Sequence, residues 1–286
     1  MLPNALLNVV SFPETPWEPR YSNKIHSLVK NFGGNYYLWE DIRNSNQQFW
    51  KNLSIDIIFI VSWRYYIPPE IYTNAKIGAY LFHDSLLPEN RGFSPTIWSI
   101  INGKSYTGVT LLEVDDQIDS GDIISQARVP FCSNDEIPKI LDLVTKQYLK
   151  ILANNINNLI KGDIIKTPQN HTLATYNPKR TKIDNMINWN HSAKQIYNLI
   201  RALTKPYPGA FTYLNKKKII IWKALVVKDA HSKINNVPGS VIKIIKNKGV
   251  VVKTGKGNII IKVIQVENSG PQNFNDIINN LGIILG

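Results

Sequence analysis

The sequence predicts an α/β protein whose first part carries a mostly parallel sheet and whose last part is a smaller β-barrel. Three features point there. The run Ile55-Asp56-Ile57-Ile58-Phe59-Ile60-Val61-Ser62 is nearly all apolar and rich in branched side chains, as in a strand covered on both faces of a parallel sheet. Stretches of helical and of strand period alternate as far as residue 166. Beyond Pro206 the period becomes two and stays so through short segments parted by glycine-containing turns.

Taken in order, Leu6 to Phe12 reads as a short buried strand, bounded by Pro13, Pro16 and Pro19. Ser22 to Phe32 has Ile25, Leu28, Val29 and Phe32 at helical spacing, and Gly33-Gly34 stops it. Tyr36 to Leu38 fits a short strand and Asn46 to Leu53 a brief helix. Trp63-Arg64-Tyr65-Tyr66 follows the strand of residues 55–62 at its carboxyl end, where ligands gather in open α/β sheets. Gly78 to Phe82 is the next strand and sets His83 at the equivalent edge. A helix then opens with Ser94 as cap and Pro95 in its first turn, and closes at Gly103. Thr107 to Val114 is a further strand.

Ser133-Asn134-Asp135-Glu136 has capping-box spacing ahead of a helix whose apolar stripe includes Ile137, Ile140, Leu141, Val144 and Ile151, with Gly162 as its stop. Thr167 to Thr181 loosens into a polar linker. Ser192-Ala193-Lys194-Gln195 caps a helix carrying Ile196, Leu199, Ile200 and Leu203, ended by Pro206. Strands at 218–227, 240–246, 250–254 and 258–266 complete the barrel. The domains expected are therefore 1–166, a linker over 167–181, and 182–286.

Composition narrows the class. A chain of 286 residues supports a substantial core, and no apolar run approaches the ~18 residues of a membrane span. Met1 to Ala5 shows no secretory pattern. The single cysteine, Cys132, excludes an internal disulfide, reads as a half-buried strand-end residue and suits a reducing cytoplasm. A net charge of +12 is compatible with a polyanionic partner, but the lysines are scattered among isoleucine and asparagine, as solvated side chains are. No Cys, His and Asp cluster has metal-ligand spacing. His26, His171, His191 and His231 sit in no motif and read as surface residues.

The chemistry-bearing stretch is His83-Asp84-Ser85-Leu86-Leu87-Pro88, followed by Arg91-Gly92, Asn102-Gly103, Thr107-Gly108-Val109-Thr110 and Asp119-Ser120-Gly121-Asp122. In this order and spacing the motifs resemble the signature of formyltransferases that use 10-formyltetrahydrofolate. Ile187-Asn188-Trp189, Ile200-Arg201-Ala202, Pro206-Tyr207-Pro208-Gly209-Ala210-Phe211-Thr212-Tyr213 and Pro238-Gly239 resemble the C-terminal domain of the same family. The 206–213 stretch and Trp63-Arg64-Tyr65 look closer to the branch that formylates amino sugars on nucleotide carriers than to the methionyl-tRNA branch. The resemblance implies a Rossmann-like formyltransferase domain that holds the folate, then an OB-like barrel.

It also implies roles. Formyl transfer needs a deprotonated amine, a stabilised oxyanion and an acid for the departing folate nitrogen. His83 is the expected proton carrier, since an imidazole titrates near neutrality, and Asp119 matches the family's catalytic aspartate. Trp63, Arg64, Ser85, Leu86, Leu87, Val114, Asp115, Ile118 and Asp119 are expected at the folate, and Arg91 and Tyr65 at the acceptor. No metal is expected. The implied acceptor is a nucleotide-linked amino-deoxy sugar destined for surface polysaccharide such as lipopolysaccharide O-antigen, handled by a cytoplasmic enzyme, by analogy a homodimer, without membrane or nucleic acid. The alternatives are a methionyl-tRNA formyltransferase, with tRNA as partner, and a non-catalytic binding protein for folate or sugar nucleotide.

Two departures stand out. The family's catalytic set is Asn-x-His with the later Asp, and the asparagine position is Leu81. Leucine donates nothing to an oxyanion, a loss worth about 2.7–4 kcal/mol of barrier. The family also begins with a βα unit ahead of the strand matched here by Leu6 to Phe12, so that unit is expected to be missing.

Overall fold

The computed structural model describes residues 5–14, 21–45, 47–227, 237–274, 277–278 and 280–286; residues 1–4, Pro16, Pro19, Asn46 and His231 lie outside them. The chain divides into two compact units, Met1–Ile58 with Tyr65–Gly78, and Phe59–Arg64 with Ala79–Gly286.

In the first unit β1 (Asn8–Ser11) and β2 (Asn35–Leu38) pair in parallel, joined through helix α1 (Ser22–Asn31), whose buried residue is Val29. Leu6 and Leu7, expected in a buried strand, are 67% and 42% exposed, and β1 itself is half-buried, because its pairing is with the short β2. Helices α2 (Trp39–Ile42) and α3 (Gln47–Asn52) follow, then β3 (Ile57–Val61), which runs on into the second unit, and α4 (Pro69–Tyr72). Aromatic rings fill this unit in a continuous series, Tyr37 on Phe49, Phe49 on Trp50, Trp50 on Trp39, Trp39 on Tyr65 and Tyr65 on Phe12.

The second unit continues with β4 (Gly78–His83), β5 (Arg91–Gly92), α5 (Pro95–Ile101), β6 (Tyr106–Glu113), β7 (Ile123–Pro130), α6 (Ile137–Lys161), β8 (Tyr176–Asn177) and α7 (Ala193–Leu203). One sheet has the order β3-β4-β6-β7, with β6 antiparallel to both β4 and β7. After α7 come β9 (Ala210–Leu214), β10 (Lys217–Val227), β11 (Val241–Ile245), β12 (Gly249–Lys253), β13 (Asn258–Val266) and β14 (Gln272–Asn273). They form an antiparallel sheet ordered β11-β12-β13-β10-β9, with β14 on β13. The expected class holds: a Rossmann-like α/β sheet followed by a domain of antiparallel strands.

One apolar core crosses from α5 and α6 into that second sheet, joining Ile97, Ile100, Ile137 and Ile140 to Ile196, Ile200 and Leu203 of α7 and to Ile219, Val250 and Ile261. Its apolar stripes are those of the helical and two-residue periods. Two expected caps are absent. Ser94 precedes α5 in a left-handed conformation, φ 51°, and makes no side-chain cap bond; a capping side chain needs extended backbone. Helix α6 starts not at Ser133 but after Glu136. Pro138 explains the shift, since a proline beyond the first turn clashes with the carbonyl four residues back, so the helix begins where Pro138 lies in that turn. At α7 the box forms as expected: Ser192 Oγ accepts from the Gln195 N–H at 3.3 Å and Gln195 Oε1 from the Ser192 N–H at 3.0 Å.

Residues 167–181 are tied down. Thr167 bridges Ile123, His171–Leu173 makes one tight helical turn, and β8 pairs in parallel with β5. Among the described residues no helix is long and apolar enough to cross a membrane. Cys132 is exposed, more open than expected.

Candidate active site

His83 ends β4, opposite Thr110 of β6. Strand side chains alternate, so Leu81 and His83 share one face. Leu81 lines a cleft of about 30 Å³ with Leu112–Asp115, Gln117 and Asp119–Gly121. The residue standing at the family's asparagine position is therefore at the cleft wall, beside the loop that carries Asp119.

The His83 ring is held from both sides. Its Nε2 lies 2.8 Å from the Asn90 carbonyl oxygen. A carbonyl only accepts, so Nε2 carries a proton. Nδ1 faces Asp119 Oδ2 at 3.6 Å, with both side chains 10% exposed or less. That separation is an ion-pair distance, longer than a hydrogen bond. Asp119 has φ 51°, and its Oδ2 accepts the Gly92 N–H at 2.7 Å. Gly92 is itself left-handed, φ 88°, and a Cβ there would fall 2.7 Å from the Asn177 carbonyl oxygen.

The Ser-Leu-Leu-Pro turn is braced by the Thr-Gly-Val-Thr strand, which explains why the two motifs occur together. Thr107 Oγ1 donates to the Asp84 carbonyl and Thr110 Oγ1 to the Ser85 carbonyl, each at 2.7 Å. Between them Gly108 leaves room for Leu86, whose Cγ would lie 2.5 Å from an added Cβ. Gln126 Nε2 reaches the Leu87 carbonyl at 2.8 Å, and Ser85 Oγ donates to the Glu89 carbonyl at 2.7 Å. Burial pushes the Asp84 carboxyl up to about 6, against the opposing pull of the neighbouring His83 charge and the Thr96 hydroxyl.

Arg91 is 1% exposed. Its Nη1 donates to Tyr176 Oη at 2.9 Å, and its Nη2 to Gln169 Oε1 at 2.7 Å and His171 Nδ1 at 3.0 Å. The guanidinium expected at the acceptor is thus enclosed by side chains of residues 169–176. Gln169, 5% exposed, gives its two amide protons to the carbonyls of Asp119 and Gly121 at 2.9 and 2.7 Å.

The second unit therefore brings together His83, Ser85, Leu86, Leu87, Arg91, Val114, Asp115 and Asp119. Asp115 Oδ1 holds its own loop through the Gln117 N–H and Ser120 Oγ, and Ile118 stands out from that loop, 62% exposed. Trp63 and Arg64 are half-buried just past β3. Tyr65 belongs to the first unit, stacked on Trp39 and 45% exposed. His171 is exposed, as expected, yet bonded to Arg91; His26 stacks on Tyr36. Sequence reading missed Asn90, Gln169 and Tyr176, which contribute a carbonyl and bonds between residues far apart in the chain. Among the described residues no three His, Cys, Asp or Glu side chains converge as a metal site would require.

Comparisons with known proteins bear on the family of the chain. A family model described as formyl transferase matches residues 17–156, and one described as formyl transferase, C-terminal domain, matches residues 179–282. The methionyl-tRNA formyltransferase of Sulfurihydrogenibium sp. (strain YO3AOP1) is 34% identical over 249 residues, covering 86% of this chain and 79% of its own. The bifunctional polymyxin resistance protein ArnA of Wigglesworthia glossinidia brevipalpis is 37% identical over 204 residues, 70% of this chain and 31% of that protein. Among solved structures, WlaRD, a sugar 3N-formyl transferase determined with dTDP and 5-N-formyl-THF, superposes with a TM-score of 0.63 at 20% identity over 91% of this chain and 88% of its own.

Proposed function

The chain belongs to the formyl transferase family, and from that premise we propose that this formyl-transferring enzyme takes the group from 10-formyltetrahydrofolate and delivers it to the amino group of a nucleotide-linked amino-deoxy sugar. The observation that carries the chemistry is the enclosed pair of His83 Nδ1 and Asp119 Oδ2 beside the Leu81 cleft. With Nε2 committed to the Asn90 carbonyl, Nδ1 is the position at which a proton is taken from the attacking amine and returned to the departing folate nitrogen. Asp119, 3.6 Å from Nδ1, faces the ring and orients it. Leu81 supplies no hydrogen bond to the oxyanion, which leaves that task to His83 and backbone N–H groups.

The cleft lining combines apolar Leu81, Leu112 and Val114 with polar Glu113, Asp115, Gln117, Asp119 and Ser120. Trp63, Arg64, Ser85, Leu86, Leu87, Val114, Asp115, Ile118 and Asp119 would hold the folate. The domain reading that goes with this is a catalytic part over 1–166, a connection over 167–181 and an OB-like barrel over 182–286. A cytoplasmic role in making surface-polysaccharide precursors follows from the same reading.

For the acceptor, the 206–213 stretch supports the sugar. The identity to methionyl-tRNA formyltransferases supports a second reading, in which methionyl-tRNA is the acceptor. A single assay separates them: formyl transfer to a panel of nucleotide-linked 3-amino and 4-amino deoxysugars and to methionyl-tRNA. We expect turnover of one sugar and a loss of about 100- to 10,000-fold in His83→Ala. Turnover of methionyl-tRNA alone would replace the first reading with the second.

A further inference from the structure

We infer that Gln169, clamped by Arg91, is a positioning residue that sets the Asp119 carboxylate against His83. The inference rests on the formyl-transfer reading for its kinetic consequence, but not for its geometry.

Asp119 is held in the left-handed region, φ 51°, a strained conformation that persists where the surroundings over-determine it. Those surroundings form a closed ring of bonds. Gln169 Nε2 donates to the carbonyls of Asp119 and Gly121, at 2.9 and 2.7 Å, and so spans the Ser120-Gly121 pair. Its Oε1 accepts from Arg91 Nη2 at 2.7 Å. Because a guanidinium only donates, this contact fixes which end of the amide is oxygen. From Arg91 the chain passes to Gly92, whose N–H is accepted by Asp119 Oδ2 at 2.7 Å. The carboxylate is thus held by β5 at its tip and, through the Arg91 side chain and Gln169, by the same strand at its backbone. Arg91 is fixed in turn by Tyr176 and His171. Turning the Gln169 amide over, or removing its donors, opens the ring at the point where Asp119 would relax away from His83.

Gln169→Glu makes the decisive variant. It keeps an oxygen for Arg91 and loses both donors to the Asp119 loop. Gln169→Asn, which keeps the amide but not the reach, is the companion. We expect kcat to fall about 100-fold in both, with KM for the folate and the acceptor changed less than about threefold. The Gly92 amide, read by hydrogen exchange with no substrate present, should exchange at least about tenfold faster as its carboxylate acceptor leaves. Wild-type kcat together with wild-type Gly92 exchange in both variants would overturn the inference, as would slow transfer traced wholly to a raised KM. A wild-type protein that transfers no formyl group, with Gly92 still responding in the variants, would defeat the proposed function and support the positioning.

Discussion

Arg91 and Arg201 are the same side chain buried to the same degree, 1% and 3% exposed, and they do different things. Arg201, on α7, gives Nε to Asn198 Oδ1 and Nη1 to the Asp135 carbonyl, each at 2.9 Å, and lies 5.7 Å from the Phe131 ring centroid. It bolts a helix to the segment that starts α6, inside an apolar core. Arg91, on β5, instead ties that strand to residues 169–176, with acceptors on Gln169, His171 and Tyr176. A buried guanidinium is costly wherever it sits and must be bonded. What differs is whether its bonds set the height of a stability barrier or the position of a reacting group.

The largest effect should come from Arg91→Met. It removes the donor from Gln169, His171 and Tyr176 together, and we expect kcat per folded molecule near 1% of wild type, since misplacement of about 1 Å can cost ~100-fold. Turnover normalised to the folded fraction checks it, and an undiminished rate would erase the contrast between the two arginines. Arg201→Met should do the reverse. Leaving the Asp135 carbonyl and Asn198 without their donor should cost about 3 kcal/mol in urea unfolding, with kcat per folded molecule within about twofold of wild type.

Asp84, next to His83, tests whether the site region gives up stability for its polar groups. Burial raises its pKa from 3.8 to about 6, so the folded state keeps a proton that the unfolded chain releases between those values. The stabilisation by that proton is therefore full at the acid end and disappears as pH rises to about 6. The ionised group then costs on the order of 2 kcal/mol, less than the full shift implies because Asp84 is only half-buried. Asp84→Asn should raise the urea midpoint near neutral pH and flatten its dependence between about pH 4 and 6. The smallest effect concerns the two capping-box spacings flanking the Arg201 seam: Ser192→Ala should cost about 1 kcal/mol in the same unfolding assay and Ser133→Ala almost nothing.

Legibility followed the same division. The apolar stripes of α6 and α7 and the alternation along β10 and β13 were open to reading because burial recurs at a fixed period. His83 and Asp119 were readable through ordered motifs. The Gln169 bonds were not, because they join neutral groups 48 and 50 residues apart and leave no period. β7 escaped for another reason. As an edge strand it buries one of its eight residues, Val129, so its alternation is faint. At Ser133 a correct local pattern lost to Pro138.

The parallel pairing of β5 with β8 has a consequence for anyone exchanging modules between relatives. A chimaera joined at residue 166, where the sequence pattern ends the first domain, would deprive Asp119 of Gln169 and Arg91 of Tyr176. Moving the junction beyond Asn177 carries the whole support along with the graft.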